Sequence, residues 1–326
     1  MKYIETNWNV PFYNFALEDY LLNEAKEDDY VFFYIHKPSI IVGKYQNTLE
    51  EINKDFVEEN NIIVSRRLSG GGAVYHDHGN LNFSFVHKAT KKDVNDFKKF
   101  TKPVVEALQN LGLNAHLSGR NDLLIDDKKI SGNAQYYTNN RLLHHGTLLY
   151  DSEMSNLVKA LKVRDLKIKS KGIKSVKSRV GNISDFLDNN LPIEDFRDYL
   201  LKSFFKSKDI EKYELDENAL NYINKKVEEK FSTWDWNWGK SPKYEIQKIE
   251  KFSFGIMDTR IDIKNGLIDK CKIYGDYFSK KDIENLEESL IGLKYDKDEL
   301  INNKEIIRIN DYFNDIDIET YTSYLI

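Results

Sequence analysis

The stretch Arg66-Arg67-Leu68-Ser69-Gly70-Gly71-Gly72-Ala73-Val74-Tyr75-His76-Asp77-His78-Gly79-Asn80 sets three consecutive glycines between a basic pair and a strand-like run. Glycine has the most conformational freedom to lose on folding, so a triplet in strand-like sequence weakens a sheet unless close approach of a ligand repays the loss. Backbone N–H groups bared in this way can face an anion, with Arg66 or Arg67 supplying charge and a planar donor fork. The pattern points to a phosphate-bearing or adenylated ligand. Its spacing is neither the G-x-x-x-x-G-K-[ST] of a P-loop nor the G-x-G-x-x-G of a dinucleotide fold. Taken alone, the segment also reads as a glycine-rich bulge at a sheet edge.

With 326 residues, 40% hydrophobic and 13% aromatic, the chain can bury one large core and a small second one, which predicts two domains. A net charge of −5 argues against general nucleic-acid binding. No apolar run reaches membrane-spanning length, and Met1-Lys2-Tyr3-Ile4-Glu5-Thr6 lacks the apolar core of a signal peptide, so a soluble, cytoplasmic protein is expected. The single cysteine, Cys271, excludes an intrachain disulfide and suits a reducing compartment.

Periodicity predicts the elements. Tyr13 to Ala25 carries Ala16, Leu17, Tyr20 and Leu21 at helical spacing and reads as an amphipathic helix. Tyr30 to Ile35 and Ser39 to Val42 are apolar runs split by Pro38, read as two buried strands and a turn. Asn61 to Ser65 is a strand delivering the glycine triplet, and Leu81 to Phe85 alternates as a strand with one buried face. Lys92 to Leu111 reads as a helix capped by Gly112. Leu123 to Ile125, Lys129 to Tyr137 and Leu142 to Tyr150 are strands turned at Asp126-Asp127 and Asn139-Asn140, and helices follow at about 153–161, 193–205 and 217–231. Trp234, Trp236 and Trp238 read as interdomain packing. Beyond Lys240-Ser241-Pro242-Lys243, Asn265-Gly266 marks a hairpin, and Lys280 to Leu293 is a helix with Ser279 as N-cap. The fold class is α+β: a large domain, 1–242, with mostly antiparallel sheets flanked by helices, and a small α/β C-terminal domain, 243–326.

Three further blocks accompany the glycine triplet. Gly119-Arg120-Asn121-Asp122 leads into Lys128-Lys129-Ile130-Ser131-Gly132-Asn133-Ala134, then Leu143-His144-His145-Gly146-Thr147-Leu148-Leu149 follows, and Lys171-Gly172-Ile173-Lys174-Ser175-Val176 lies further on. In this order and at these spacings they resemble the lipoate-protein ligase A family, of the biotin/lipoate ligase superfamily. The resemblance extends from Asn14-Phe15-Ala16-Leu17-Glu18 through Val42-Gly43-Lys44-Tyr45-Gln46-Asn47 to Trp234-Asp235-Trp236-Asn237-Trp238-Gly239. It implies a large domain binding lipoate and ATP, with Mg²⁺, and a small accessory domain. The implied reaction converts lipoate and ATP to lipoyl-AMP and pyrophosphate, then passes the lipoyl group to a lysine of a carrier domain. Implied carriers are the E2 subunits of 2-oxoacid dehydrogenases or the glycine-cleavage H protein, and the implied ligase is a monomer.

The resemblance also implies residue roles. Lys129 falls at the family's lysine that contacts carboxyl group and adenylate, so it would neutralise the repulsion between two anions; without the following Ser131-Gly132-x-Ala134 it would read as a turn lysine. Arg67, Ser69, Gly70, Gly71, Gly72, Ala73 and Val74 would line the acyl-adenylate, with small Gly132 and Ala134 admitting close approach. Asn121 and Asp122 match the family's pair, with Asp122 the candidate Mg²⁺ carboxylate. His145 would face the lipoyl pocket, His144 would be structural, and a shared metal is disfavoured because neighbours on a strand point to opposite faces. His76 and Asn80 are candidate ligand contacts, although His76 and Asp77 also read as loop-fixing. Residues 159–179 hold nine Lys or Arg and one acid, Asp165. They read either as a solvated face or as an adenylate-binding lid, Lys171, Gly172, Ile173, Ser175 and Val176, beside a surface for an acidic carrier. Competing functions are an octanoyl or lipoyl transferase working through a cysteine thioester and a non-catalytic lipoate-binding protein. Cys271, on the hairpin strand with no adjacent histidine, reads as a structural thiol.

Overall fold

Strands β1 (Lys2–Tyr3), β2 (Tyr30–Ile35), β3 (Ser39–Val42), β4 (Ile63–Arg66), β5 (Val74–His76), β6 (Asn80–Lys88), β7 (Ala115–Ser118), β8 (Asp122–Ile125), β9 (Lys128–Thr138), β10 (Arg141–Leu149), β11 (Ile246–Phe252), β12 (Gly255–Lys264) and β13 (Leu267–Gly275) form three sheets. The computed structural model describes residues 1–161, 179–189, 191–206, 209–238, 246–264 and 266–326; the expected lid at 171–176 and the expected boundary at 240–243 lie outside the described residues. The largest sheet runs β1-β2-β6-β10-β9-β8-β7 and is antiparallel except where β1 joins β2. A second runs β4-β3-β5, and an antiparallel third runs β11-β12-β13. The α+β class holds.

Helices cover the large sheet on both faces, and the strands alternate between two cores. Val31 and Phe33 of β2, with Leu81, Phe83 and Phe85 of β6, pack against Val104 and Leu108 of helix Phe97–Asn110 and Phe196 and Leu200 of helix Ile193–Phe204. Tyr30, Phe32 and Tyr34 instead join Phe15, Leu17 and Leu21 of helix Pro11–Asn23 and Ile223 of helix Glu217–Lys226. A strand buried on both faces needs apolar residues throughout, hence the unbroken Tyr30–Ile35 run. On β6 the intervening Asn82 and Ser84 are also buried, so the polar face expected to meet solvent meets helix Pro11–Asn23 instead. That helix buries Asn14, Glu18 and Asp19 beside its apolar residues.

Asn139 and Asn140 adopt φ of 50° and 56° between Thr138 and Arg141, the left-handed pair that a two-residue hairpin requires. Helix Phe97–Asn110 starts later than periodicity predicts, because Asn95 turns to φ 70° and the Asp96 carboxylate accepts the Lys99 N–H at 3.1 Å. Gly112, at φ +83°, closes it as expected. In the C-terminal part, helix Ile283–Leu290 follows Asp282 rather than Ser279, whose hydroxyl donates to the Lys281 carbonyl.

Arg66 ends β4 almost fully buried. Its guanidinium donates to the carbonyls of Gly43 (2.7 Å), Gln46 (2.7 Å) and Trp236 (2.8 Å) and to Thr48 Oγ1 (2.6 Å). Trp236 returns its indole N–H to the Arg66 carbonyl at 2.9 Å. The tryptophan segment therefore packs within the large domain, which corrects the interdomain reading, and Arg66 is a strut rather than an anion donor. Arg66→Lys should cost about 3 kcal/mol or more, because an ammonium group cannot reach acceptors spread around a planar fork and leaves buried carbonyls unpaired. Urea denaturation followed by tryptophan fluorescence checks this; a loss below about 1 kcal/mol refutes the strut.

Candidate active site

A cavity of about 150 Å³ lies between the large sheet and the glycine loop. Its wall holds Lys129, Gly132, Asn121, Gly71 and Gly72 together with Phe15, Tyr34, Ile41, Val74, His76 and Asn82. His145 also faces it.

A fault in strand pairing aims Lys129 at the cavity. Leu124 lies opposite Lys129, yet Leu123 lies opposite Ser131, so Ile130 is an extra residue on β9. Such a bulge turns Lys129 to the side of Gly132 and Ala134, which strict alternation would not do. Lys129 Nζ lies over Gly132, 3.4 Å from where a Cβ would stand, so the lysine rests in contact with this part of the strand. Nζ contacts the Asp122 carboxylate at 2.8 Å, both side chains about a third exposed. Among the described residues no group of three or more His, Cys, Asp or Glu is placed to hold a metal.

Arg67 shapes the glycine loop. Its NH2 donates to the carbonyls of Gly70 (2.7 Å) and Gly72 (2.9 Å), NH1 to Ile41 O (3.2 Å), and Nε to Ser69 Oγ (3.0 Å). Burial pulls the guanidinium down to about 10, still far above neutrality, so it stays charged. Ser69 Oγ lies 2.6 Å from His145 Nε2, and His145 Nδ1 lies 2.9 Å from Glu18 Oε1, which also accepts the Ser84 hydroxyl at 2.5 Å. Serine, histidine and a carboxyl group in line suggest a nucleophile, but Ser69 is fully buried, off the cavity wall, and already accepts from Arg67. It is a strut.

The structure brings Arg67, Gly71, Gly72, Ala73, Val74 and His76 to the cavity, together with Asn121, Lys129, Gly132, Ala134 and His145. Ser69, Gly70, Asn80 and Ser131 are not among the residues lining the cavity: Asn80 donates to Asn82 Oδ1 (2.9 Å), and Ser131 Oγ accepts from Asn133 (3.2 Å). Asp122 reaches the site only through Lys129. His76 is not loop-fixing; Asp77 alone is, accepting the N–H groups of Gly79 and Glu153. His144 points away from the site, stacked on Phe100 with centroids 5.5 Å apart.

Residues the sequence reading missed include Phe15, Tyr34, Asn82, Thr147 and Phe278. Asn14 and Glu18, four apart on one helix and both fully buried, were the available signal for the first of these. Phe278 comes from the C-terminal part. Beside it the Tyr277 carbonyl accepts the Gly71 N–H (3.1 Å), Arg120 lies over the Phe278 ring at 4.4 Å, and Lys44 pairs with Asp282 at 2.5 Å. Gly71 sits at φ +95°, and a Cβ there would lie 2.8 Å from Phe278 and 2.9 Å from Arg67, whereas a Cβ on Gly72 would meet nothing within 4 Å. Gly71→Ala should therefore cost about 1–3 kcal/mol, from strain and crowding, while Gly72→Ala stays within about 0.5 kcal/mol. Paired thermal melts check the contrast; equal effects refute this loop geometry.

A family model described as the lipoyl protein ligase A/B catalytic domain matches residues 10–205, and one described as the bacterial lipoate protein ligase C-terminus matches residues 241–325. The chain is 46% identical to lipoate-protein ligase LplJ of Bacillus subtilis, over 97% of this chain and 96% of the relative, and 46% identical to lipoate–protein ligase 1 of Staphylococcus aureus, over 97% of each. Among solved structures it is similar to P. falciparum LipL1 in complex with lipoate (TM-score 0.80, 27% identity, 100% of this chain and 98% of that one). It is also similar to the bipartite ligase of Thermoplasma acidophilum, described with its E2 lipoyl domain (TM-score 0.67, 30% identity, 75% and 98%), and to a lipoate-protein ligase A bound with ATP (TM-score 0.64, 28% identity, 73% and 98%). With both of its parts matched and its nearly full-length relatives sharing this architecture, the chain belongs to the lipoate-protein ligase A family.

Proposed function

We propose that the cavity is the acyl-adenylate site of an ATP-dependent lipoate-protein ligase, and that Lys129 is its catalytic cation. The carrying observation is the β9 bulge, which turns Lys129 onto Gly132 beside the glycine loop. In the first step a lipoate carboxylate oxygen attacks the α-phosphorus of ATP, and the bond from that phosphorus to the pyrophosphate oxygen breaks. Two anions are forced together, and a fixed ammonium group lowers the barrier by stabilising the charge that develops. Asp122 holds Lys129 in place until the anions arrive. In the second step the ε-amine of a carrier lysine attacks the acyl carbon, the amide forms, AMP departs and the amine loses its proton. No enzyme group is acylated.

The cavity is smaller than the roughly 300–1,000 Å³ of ordinary ligand sites. Phe278 fills the mouth beside Gly71, so room for the nucleotide requires Tyr277 and Phe278 to leave the glycine loop. Mg²⁺ would arrive with ATP, held mainly by phosphate oxygens and water, with Asp122 the carboxylate placed to join it; it would supply further charge neutralisation. The carriers are lipoyl domains of 2-oxoacid dehydrogenase E2 subunits or the glycine-cleavage H protein, and the ligase works as a cytoplasmic monomer. Among the described residues no helix is long and apolar enough to cross a membrane.

The cysteine transferase is disfavoured by position. Cys271 lies on β13, packed with Tyr321 and Leu286 in the C-terminal core, and burial pushes its thiol up, away from the reactive thiolate. Lipoate-dependent pyrophosphate release from ATP tests the function. Lys129→Ala should lower that release by about 10²–10³-fold or more with the fold unchanged; normal release by the folded variant refutes the role of Lys129. Cys271→Ser should retain transfer of lipoate to a carrier domain, and a lipoyl thioester trapped on Cys271 would overturn the ligase scheme.

A further inference from the structure

Asn14, His36 and His76 form a buried line that ends on a residue of the cavity wall. Asn14 Nδ2 donates to the Trp8 carbonyl at 2.9 Å and contacts His36 Nε2 at 3.2 Å, while Thr6 Oγ1 lies 3.5 Å from Asn14 Oδ1. The carbonyl fixes which end of the amide is the donor, so His36 Nε2 must accept. Burial lowers His36 to about 3, so the ring is neutral and carries its one proton on Nδ1. That Nδ1–H lies 3.0 Å from His76 Nδ1, which must accept in turn. His76 is neutral as well, held well below the usual histidine range by burial and by His36, Arg67 and His145. Its proton is left on Nε2. His76 is 4% exposed, its Nε2 has no protein partner, and the side chain lines the cavity.

An N–H donor buried without an acceptor is costly, and this one belongs to a side chain on the cavity wall, where a bound ligand could complete it. His36 follows directly on β2 and Tyr34 lies within it, whereas Lys129 is on β9, three strands away in the order β2-β6-β10-β9. At strand spacing that separation is about 14 Å. His76 is on β5 and reaches this side through its contact with His36, so with the carboxyl group of an acyl substrate at Lys129 the chain would run toward His76 along a wall that also holds Phe15, Ile41 and Val74. A saturated hydrocarbon end offers no lone pair. The ring sulfurs of a dithiolane do, as weak acceptors.

We propose that His76 is the specificity-determining donor for the acyl tail, its Nε2–H directed at a dithiolane sulfur and held in that tautomer by the positioning residues Asn14 and His36. A cyclic disulfide then satisfies the donor, and a plain fatty acyl chain of the same length leaves it bare. This assignment rests on the acyl-adenylate site proposed above.

Two measurements test it. Pyrophosphate release is followed with lipoate and with octanoate, for the wild-type protein and for His36→Leu. The wild type should prefer lipoate by about tenfold in kcat/KM, the discrimination expected of one modest buried hydrogen bond. In His36→Leu, where the His76 proton is free to move to Nδ1, the preference should fall toward unity through loss with lipoate while octanoate turnover persists. Equal losses with both acids, or an unchanged ratio, overturn the proposal. Because a buried histidine is being replaced, the second measurement uses the wild-type chain: ¹⁵N-histidine spectra, with the His76 signals assigned by their loss in His76→Gln. The His76 proton should sit on Nε2 and shift on saturation with lipoate but not with octanoate; a proton on Nδ1, or a signal indifferent to lipoate, sinks the idea. Absence of release with either acid by the wild-type protein would instead refute the acyl-adenylate reading itself.

Discussion

Two adjacent buried guanidinium groups, on Arg66 and Arg67, set the shape of the site. Burial lowers each only to about 10, so both keep their charge at neutral pH and must be surrounded by acceptors. The acceptors used are mostly backbone carbonyls: Gly43, Gln46 and Trp236 around Arg66, and Ile41, Gly70 and Gly72 around Arg67. A trans peptide points its N–H opposite to its carbonyl. Drawing the Gly70 and Gly72 carbonyls inward therefore turns the N–H groups of Gly71 and Ala73 away from Arg67, and the Gly71 N–H is the one that meets the Tyr277 carbonyl. The arginines need not touch an anion to build a place for one. The closeness this demands explains the glycines, since a Cβ on Gly43 would lie 2.0 Å from the Gly71 carbonyl.

On the opposite wall the same economy appears in the sheet. An extra residue at Ile130 costs ladder pairing, yet it puts a lysine and two small residues, Gly132 and Ala134, on one side of the strand. Between the walls lies Phe278, contributed by a part of the chain with its own core of Met257, Ile273, Leu286 and Phe313. Its contacts with the large part run through Gly71, Arg120 and Lys44, and through Tyr45 stacked on Tyr277.

Much of this was legible in the residues. The Tyr30–Ile35 run, the Asn139-Asn140 turn and the Gly112 cap each follow from a local rule of burial or φ, and the glycine triplet marked the site. The tryptophan segment and Arg66 were misread for one reason. Sequence shows that Arg66 carries a charge, but not that Trp236 and Thr48, far apart along the chain, converge to receive it. Strands β1 and β5 escaped because they are two and three residues long, too short for any period to show. The β9 bulge is likewise invisible, since it is defined by a partner strand and not by the bulged residues.

The polar side chains under the cavity divide by where their hydrogen bonds end. Glu18, His145 and Ser69 run toward Arg67, and each donor along that line has an acceptor waiting in the protein. That line fixes the loop, with the second oxygen of Glu18 left without a partner at its start. Asn14, His36 and His76 run the other way and end on a nitrogen with no partner. Helix Pro11–Asn23 starts both lines, one from Asn14 and one from Glu18, a single turn apart. Burying so many polar groups on one helix is unfavourable for stability alone. Of the two, the line through His36 leaves over a donor rather than an acceptor, on a side chain of the cavity wall, which is why the ligand proposed for it carries a lone pair.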